Sequence, residues 1–159
     1  MRVFWTLVAI AIATVLQTAL GLVWPGVARV FDPYLLVMVY CGLTRGETHG
    51  MLAGAAAGWV QDVHFGGRIV GISGLTKVIV GFVVGVAATR FLLSGIGSQV
   101  LVVFTATVAD AIIMHSLASV FSIPTDELST WGLALRGAVN AGVGVVLFTF
   151  VDRRLRSDR

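Results

Sequence analysis

Long apolar runs separated by short polar joints organise this chain from end to end. Uncharged or nearly uncharged stretches cover residues 3–23, 33–44, 50–65, 69–89, 99–121 and 131–151. A helix needs about 20 apolar residues to cross a bilayer core. Four of the six stretches meet that length. The first ends at Trp24-Pro25-Gly26, where tryptophan suits the interface and Pro-Gly breaks a helix. The last opens at Trp131, with Ser129 placed as an N-cap. The pattern predicts an all-α, polytopic membrane protein: a six-transmembrane-helix bundle forming one domain over residues 1–159.

The second and third stretches are short. Residues 33–44 and 50–61 each run about twelve residues between charges, about 18 Å of helix against a core of ~30 Å. A re-entrant hairpin would place Arg45, Glu47 and His49 deep in lipid, which is costly. Two short spans, lengthened by polar ends that face protein or the interface, are the expectation. Four or six crossings both place the termini on one side.

Arginine placement selects that side. With the N-terminus inside, the cytoplasmic flanks hold Arg2, Arg45, Arg90, Arg153, Arg154, Arg156 and Arg159, and the outer flanks only Arg29 and Arg68. The loop before the last stretch carries Asp126 and Glu127 and no base. This bias predicts an inner-membrane protein with both termini cytoplasmic. The basic tail is a topology signal that also suits contact with anionic membrane lipid. The uncharged N-terminal run is too long for a signal-peptide core and is expected to be a retained first span.

Composition narrows the function classes. Hydrophobic residues make up 57% and charged residues 12%, against about 45–50% and about 25% in soluble domains. The net charge of +3 comes from arginines at the ends of apolar runs, not from basic patches with aromatics, so nucleic acid is not an expected partner. Cys41 is the sole cysteine, so no internal disulfide forms. Asp62 and His64 stand alone as potential metal ligands near one interface. Neither a nucleophile–base set nor a phosphate-cradling loop is present. The expectation is no enzyme, no catalytic residue, no metal and no cofactor.

Two features remain. Gly46, Gly50, Gly54 and Gly58 recur every four residues, and Gly81 and Gly85 repeat the device in the fourth stretch. Small residues on one helix face permit close approach of a second helix, either within the bundle or from a partner. The second feature is a set of ionisable groups at membrane depth. Lys77, the only lysine, lies eight residues into the stretch 69–89, about 12 Å deep. Asp110 is near the midplane, Arg136 about five residues inside its stretch, and Asp62 at the outer end of the third. Two acids and two bases at overlapping depths predict pairing, Lys77 with Asp110 and Arg136 with Asp62 or Asp110. Asn140, one turn from Arg136, joins the same buried polar network. The network either fixes helix register, holds a small ligand, or meets a partner.

The run from Asp32-Pro33 through Arg45-Gly46, the ladder to Asp62, Gly66-Gly67, and Gly71-Ile-Ser-Gly74-Leu-Thr-Lys77 resembles the bacterial rod shape-determining MreD family. The resemblance covers residue 32 to about residue 90. It implies a component of the cell-elongation machinery (the elongasome), acting in lateral peptidoglycan synthesis and cell shape. The implied partners are MreC, bound directly, with MreB, the polymerase RodA and a class B penicillin-binding transpeptidase in the same complex. The family's fold is similar to the membrane substrate-binding subunits of energy-coupling-factor transporters, and no enzymatic activity is attributed to it. Two functions follow: a membrane scaffold that holds MreC, or a small-molecule-binding subunit of a vitamin-type transporter, whose anionic ligand would pair with Lys77.

Overall fold

A computed structural model describes residues 2–64, 71–91, 95–122 and 129–157. Among these residues helix is the one regular structure: α1 (Arg2–Val23), α2 (Pro25–Val30), α3 (Pro33–Arg45), α4 (Glu47–His64), α5 (Ile72–Phe91), α6 (Ile96–Val120) and α7 (Thr130–Ser157). Gly66-Gly67, Arg68, Asp126, Glu127 and Arg159, used above for the motif and the topology, lie outside the described residues.

The second stretch differs from expectation. Pro25 does not open a loop; it occupies the first turn of α2, where proline's missing N–H costs nothing. Trp24 hinges α1 and α2, donating its N–H to the Leu20 carbonyl while its own carbonyl accepts from Val27 and Ala28. α2 then stops at Phe31-Asp32, both extended, and α3 restarts at Pro33. Together α2 and α3 form a stretch, Pro25–Arg45, that is long and apolar enough to cross a membrane. What looked like a short span is a full-length one with a break inside it.

Five stretches among the described residues reach crossing length: Val3–Val23, Pro25–Arg45, Ile72–Phe91, Ile96–Val120 and Thr130–Val151. The chain is therefore a multi-pass membrane protein. α4 is not among them, because Glu47, His49, Gln61, Asp62 and His64 dilute its apolar character. It starts three residues earlier than the expected third span, after Gly46 at φ 83° turns the chain and donates its N–H to the Gly42 carbonyl. That left-handed conformation suits glycine. α7 begins as expected: the Ser129 carbonyl accepts the first helical bond, from Leu133 N–H, at 2.9 Å.

α3 is the axis of the bundle and packs against α1, α4, α5, α6 and α7. Its Tyr34, Leu35, Met38 and Val39 are fully buried, and Val103 of α6 closes against the same core. Outward faces are apolar, with Trp5, Leu22, Leu52, Phe82, Trp131 and Val146 all exposed. A helix with an apolar outer face is the arrangement that lipid, unlike water, stabilises.

The glycine ladder zips α4 to α5 in antiparallel register. A Cβ on Gly50 would collide with the carbonyl of Gly81, and one on Gly54 would lie 2.7 Å from the carbonyl carbon of Lys77. A Cβ on Gly58 would strike Gly74, and one on Gly85 would meet the backbone of Gly46 and Glu47. Gly81 faces Gly50 in return. Each contact is backbone against backbone, so nothing can swing aside. The small faces of Gly50, Gly54, Gly58, Gly81 and Gly85 are occupied by each other's helices.

Candidate functional site: a charged cluster at the helix break

The break between α2 and α3 frees backbone groups at depth, and each is given a partner. Asp32 is the N-cap of α3; its Oδ1 accepts the Leu35 N–H at 3.1 Å. The Asn140 side chain, arriving on α7, spans the break itself. Its Oδ1 accepts the Asp32 N–H at 2.9 Å and its Nδ2 donates to the Val30 carbonyl at 3.4 Å. One carboxamide thus replaces both halves of the lost helical bonding. Irregular backbone at membrane depth is tolerated only where protein groups satisfy it in this way.

Lys77 completes the arrangement from α5. Its Nζ donates to Asp32 Oδ2 at 2.9 Å and lies 3.5 Å from Asp110 Oδ2 on α6. The Lys77 side chain is only 3% exposed, whereas those of Asp32 and Asp110 are 22% and 16% exposed. A buried ammonium without partners would cost several kcal/mol, roughly; two carboxylates offset that cost. The neighbourhood ties four elements together at one level, the α2–α3 break, α5, α6 and α7.

The remaining predicted residues sit elsewhere. Asp62 is buried at the end of α4, and among the described residues it pairs with no base. Its Oδ2 accepts the backbone N–H of Gly71 at 2.7 Å and of Gly74 at 3.4 Å. It therefore fixes the start of α5, where Gly71 has φ 110°. Arg136 is half-buried and forms no ion pair among the described residues, although its charge acts on Asp110 through space. Arg136 is thus not the salt-bridge partner that depth alone suggests, although it lies one turn from Asn140 on α7. His64 lies 3.1 Å from the Thr18 hydroxyl of α1, and the described residues hold no group of three potential metal ligands.

The residue missing from the expected network is Asp32, which supplies the shorter of the two ion pairs. Asp32 stands one residue before the apolar stretch 33–44, at its edge, so depth counting leaves it out. Trp24-Pro25, read above as the end of the first stretch, also starts α2, and that start places Asp32 inside the crossing-length stretch Pro25–Arg45.

Among the described residues, the arrangement offers hydrogen-bond acceptors and buried charge. A family model for the rod shape-determining protein MreD matches residues 1–153, nearly the whole chain. No curated protein and no solved structure matches it. With its span-length apolar helices and the match over nearly its full length, the chain belongs to the MreD family of rod shape-determining proteins.

Proposed function

We propose that this protein is an inner-membrane scaffold of the cell-elongation complex, binding MreC directly and sustaining lateral peptidoglycan synthesis. The match of residues 1–153 to the MreD family carries this reading. The architecture supports it. The described joints between helices are short, so partners must be met largely within the membrane or at its edges. MreB, RodA and a class B penicillin-binding transpeptidase are the further members of the proposed assembly.

The same reading takes α4 as a sixth crossing, with both termini cytoplasmic. Support comes from the antiparallel zipper: Glu47 lies beside Gly85 and Gly58 beside Gly74, so α4 runs alongside most of α5. A helix docked over that length on a crossing helix is carried through the bilayer with it. Green fluorescent protein fused to either end should fluoresce. A dark C-terminal fusion beside a bright N-terminal one would leave five crossings and overturn this topology.

The vitamin-transporter alternative gains nothing from the comparisons, since no solved structure matches the chain. The deciding experiment is genetic and biochemical together. Deleting the gene from a rod-shaped host should round the cells, and an affinity-tagged copy should restore them and co-purify MreC. Restored shape without MreC recovery would reject the scaffold role as stated.

A further inference from the structure

We propose that the α4 side of the bundle holds a thinned annulus of lipid: its exposed face fits phospholipid with short acyl chains, while the faces of α1 and α7 fit a bilayer of ordinary thickness. This rests on the reading of α4 as a crossing.

The lipid-facing lengths differ around the bundle. On α1 the exposed apolar residues run from Val3 to Val23, and on α7 from Trp131 to Val151. Each spans twenty positions, about 30 Å of helix, which equals the usual hydrocarbon thickness. On α4 they run only from Met51 through Leu52 and Trp59 to Val63. That is twelve positions, about 18 Å. Polar side chains close the face at both ends: Thr48 and His49 before it and His64 after it are exposed. Tilt at the usual ~20° shortens any of these helices by only a few per cent, so it does not remove the difference.

The register of α4 shows that it falls short at both ends. It runs parallel to α1, with Ala57 packed in one cluster with Ile10 and Ala13. Its last residue, His64, meets Thr18, five residues before α1 ends. Its first residue, Glu47, backs onto Gly85, six residues before α5 ends. These steps are about 7.5 Å and about 9 Å.

A membrane relieves such a mismatch by thinning, or the protein relieves it by snorkelling. Snorkelling needs the long charged stem of lysine or arginine. α4 carries neither. A histidine ring stands on a single methylene and does not reach across the missing length. Arg45, at the end of α3, donates to the Thr6 hydroxyl of α1 at 3.0 Å, so it is turned toward α1. The surface of the bilayer therefore comes to α4.

The full-length protein in phosphatidylcholine vesicles provides the test. All four tryptophans are exposed, so phenylalanine at three of them leaves the core as it is. One chain keeps Trp59 alone, through Trp5→Phe, Trp24→Phe and Trp131→Phe. The other keeps Trp131 alone, through Trp5→Phe, Trp24→Phe and Trp59→Phe. Dimyristoleoyl or dierucoyl phosphatidylcholine competes with a dibromostearoyl lipid, and quenching reads which lipid sits beside the remaining tryptophan. Beside Trp59 the short-chain lipid should be favoured over the long-chain one by roughly two- to tenfold. Beside Trp131 it should gain no such advantage. Thr48→Leu with His49→Leu lengthens the apolar face of α4 and should move the preference at Trp59 toward longer chains. Equal chain-length preferences at Trp59 and Trp131 overturn the proposal. So does a Trp59 that the brominated lipid does not quench, which would mean that a second copy of the chain covers α4. The fluorescent fusions read the crossing separately: equal preferences with both fusions bright reject the thinning alone, and a dark C-terminal fusion rejects both. If the leucine variant does not fold, the contrast between the two tryptophans still decides.

Discussion

The Asn140 carboxamide grips the backbone on both sides of the α2–α3 break, accepting from Asp32 N–H and donating to the Val30 carbonyl. These contacts join residues 108 and 110 positions apart, so one side chain of the last helix completes the second crossing. The consequence is a bundle in which a break in one helix is closed by a contact more than 100 positions away.

Asn140→Leu should therefore destabilise the protein more than an ordinary core substitution. It strands one buried backbone donor and one acceptor, about 1–3 kcal/mol each. The measurement is thermal unfolding in detergent together with amide exchange at Phe31 and Asp32. Fast exchange confined to that break is expected. Unchanged exchange there would show that other groups hold the break.

The ion pairs should be strongly coupled. Lys77→Met alone leaves two carboxylates facing each other, a loss of about 3–5 kcal/mol for a broken buried pair. Combining Lys77→Met with Asp32→Asn should cost clearly less than the sum of the two single changes. A double-mutant cycle reads the coupling directly, and a coupling near zero would mean that the pair is solvated.

The ladder gives a paired test in which chemistry is constant and packing differs. Gly54→Ala forces a methyl against the Lys77 carbonyl, where overpacking costs about 1–3 kcal/mol. Gly142, on α7, has nothing within 4 Å of its would-be Cβ, so Gly142→Ala should be neutral or stabilising by up to about 1 kcal/mol. Similar Tm losses for both would contradict the close α4–α5 contact. Because Gly54 is spent inside the bundle, Gly54→Leu tests folding before it tests partner docking.

A milder effect is expected at Tyr34, whose hydroxyl donates to the Thr14 hydroxyl of α1 at 3.0 Å. Tyr34→Phe keeps the ring and loses this link, about 0.5–1.5 kcal/mol. Most of α1 faces outward, so its amide exchange should rise while that of α4 and α5 stays unchanged.

The sequence makes some of this legible and hides the rest for definable reasons. Counting residues along helices places Lys77 and Asp110 at one level, and they lie 3.5 Å apart, because rise per residue is nearly constant. Counting does not say which of two residues on one face makes the contact. Arg136 and Asn140 share a face, yet only Asn140 reaches the break. The glycine period identifies a close-packing face without naming its partner; the antiparallel match of Gly50 to Gly81 emerges only in three dimensions. Asp32 was obscured by a boundary, since α2 is six residues long and too short to register as a separate helix.

The span of 108 residues between Asp32 and Asn140 also has a meaning in time. At about 5–20 residues per second, a ribosome needs roughly 5–20 s to travel from one codon to the other. Throughout that interval the nascent second crossing holds an open backbone. Until the last helix arrives, the Asp32 N–H and the Val30 carbonyl depend on water or other groups for their hydrogen bonds. A chain that ends before residue 140 lacks the side chain that closes the break, so truncation there leaves an early helix incomplete.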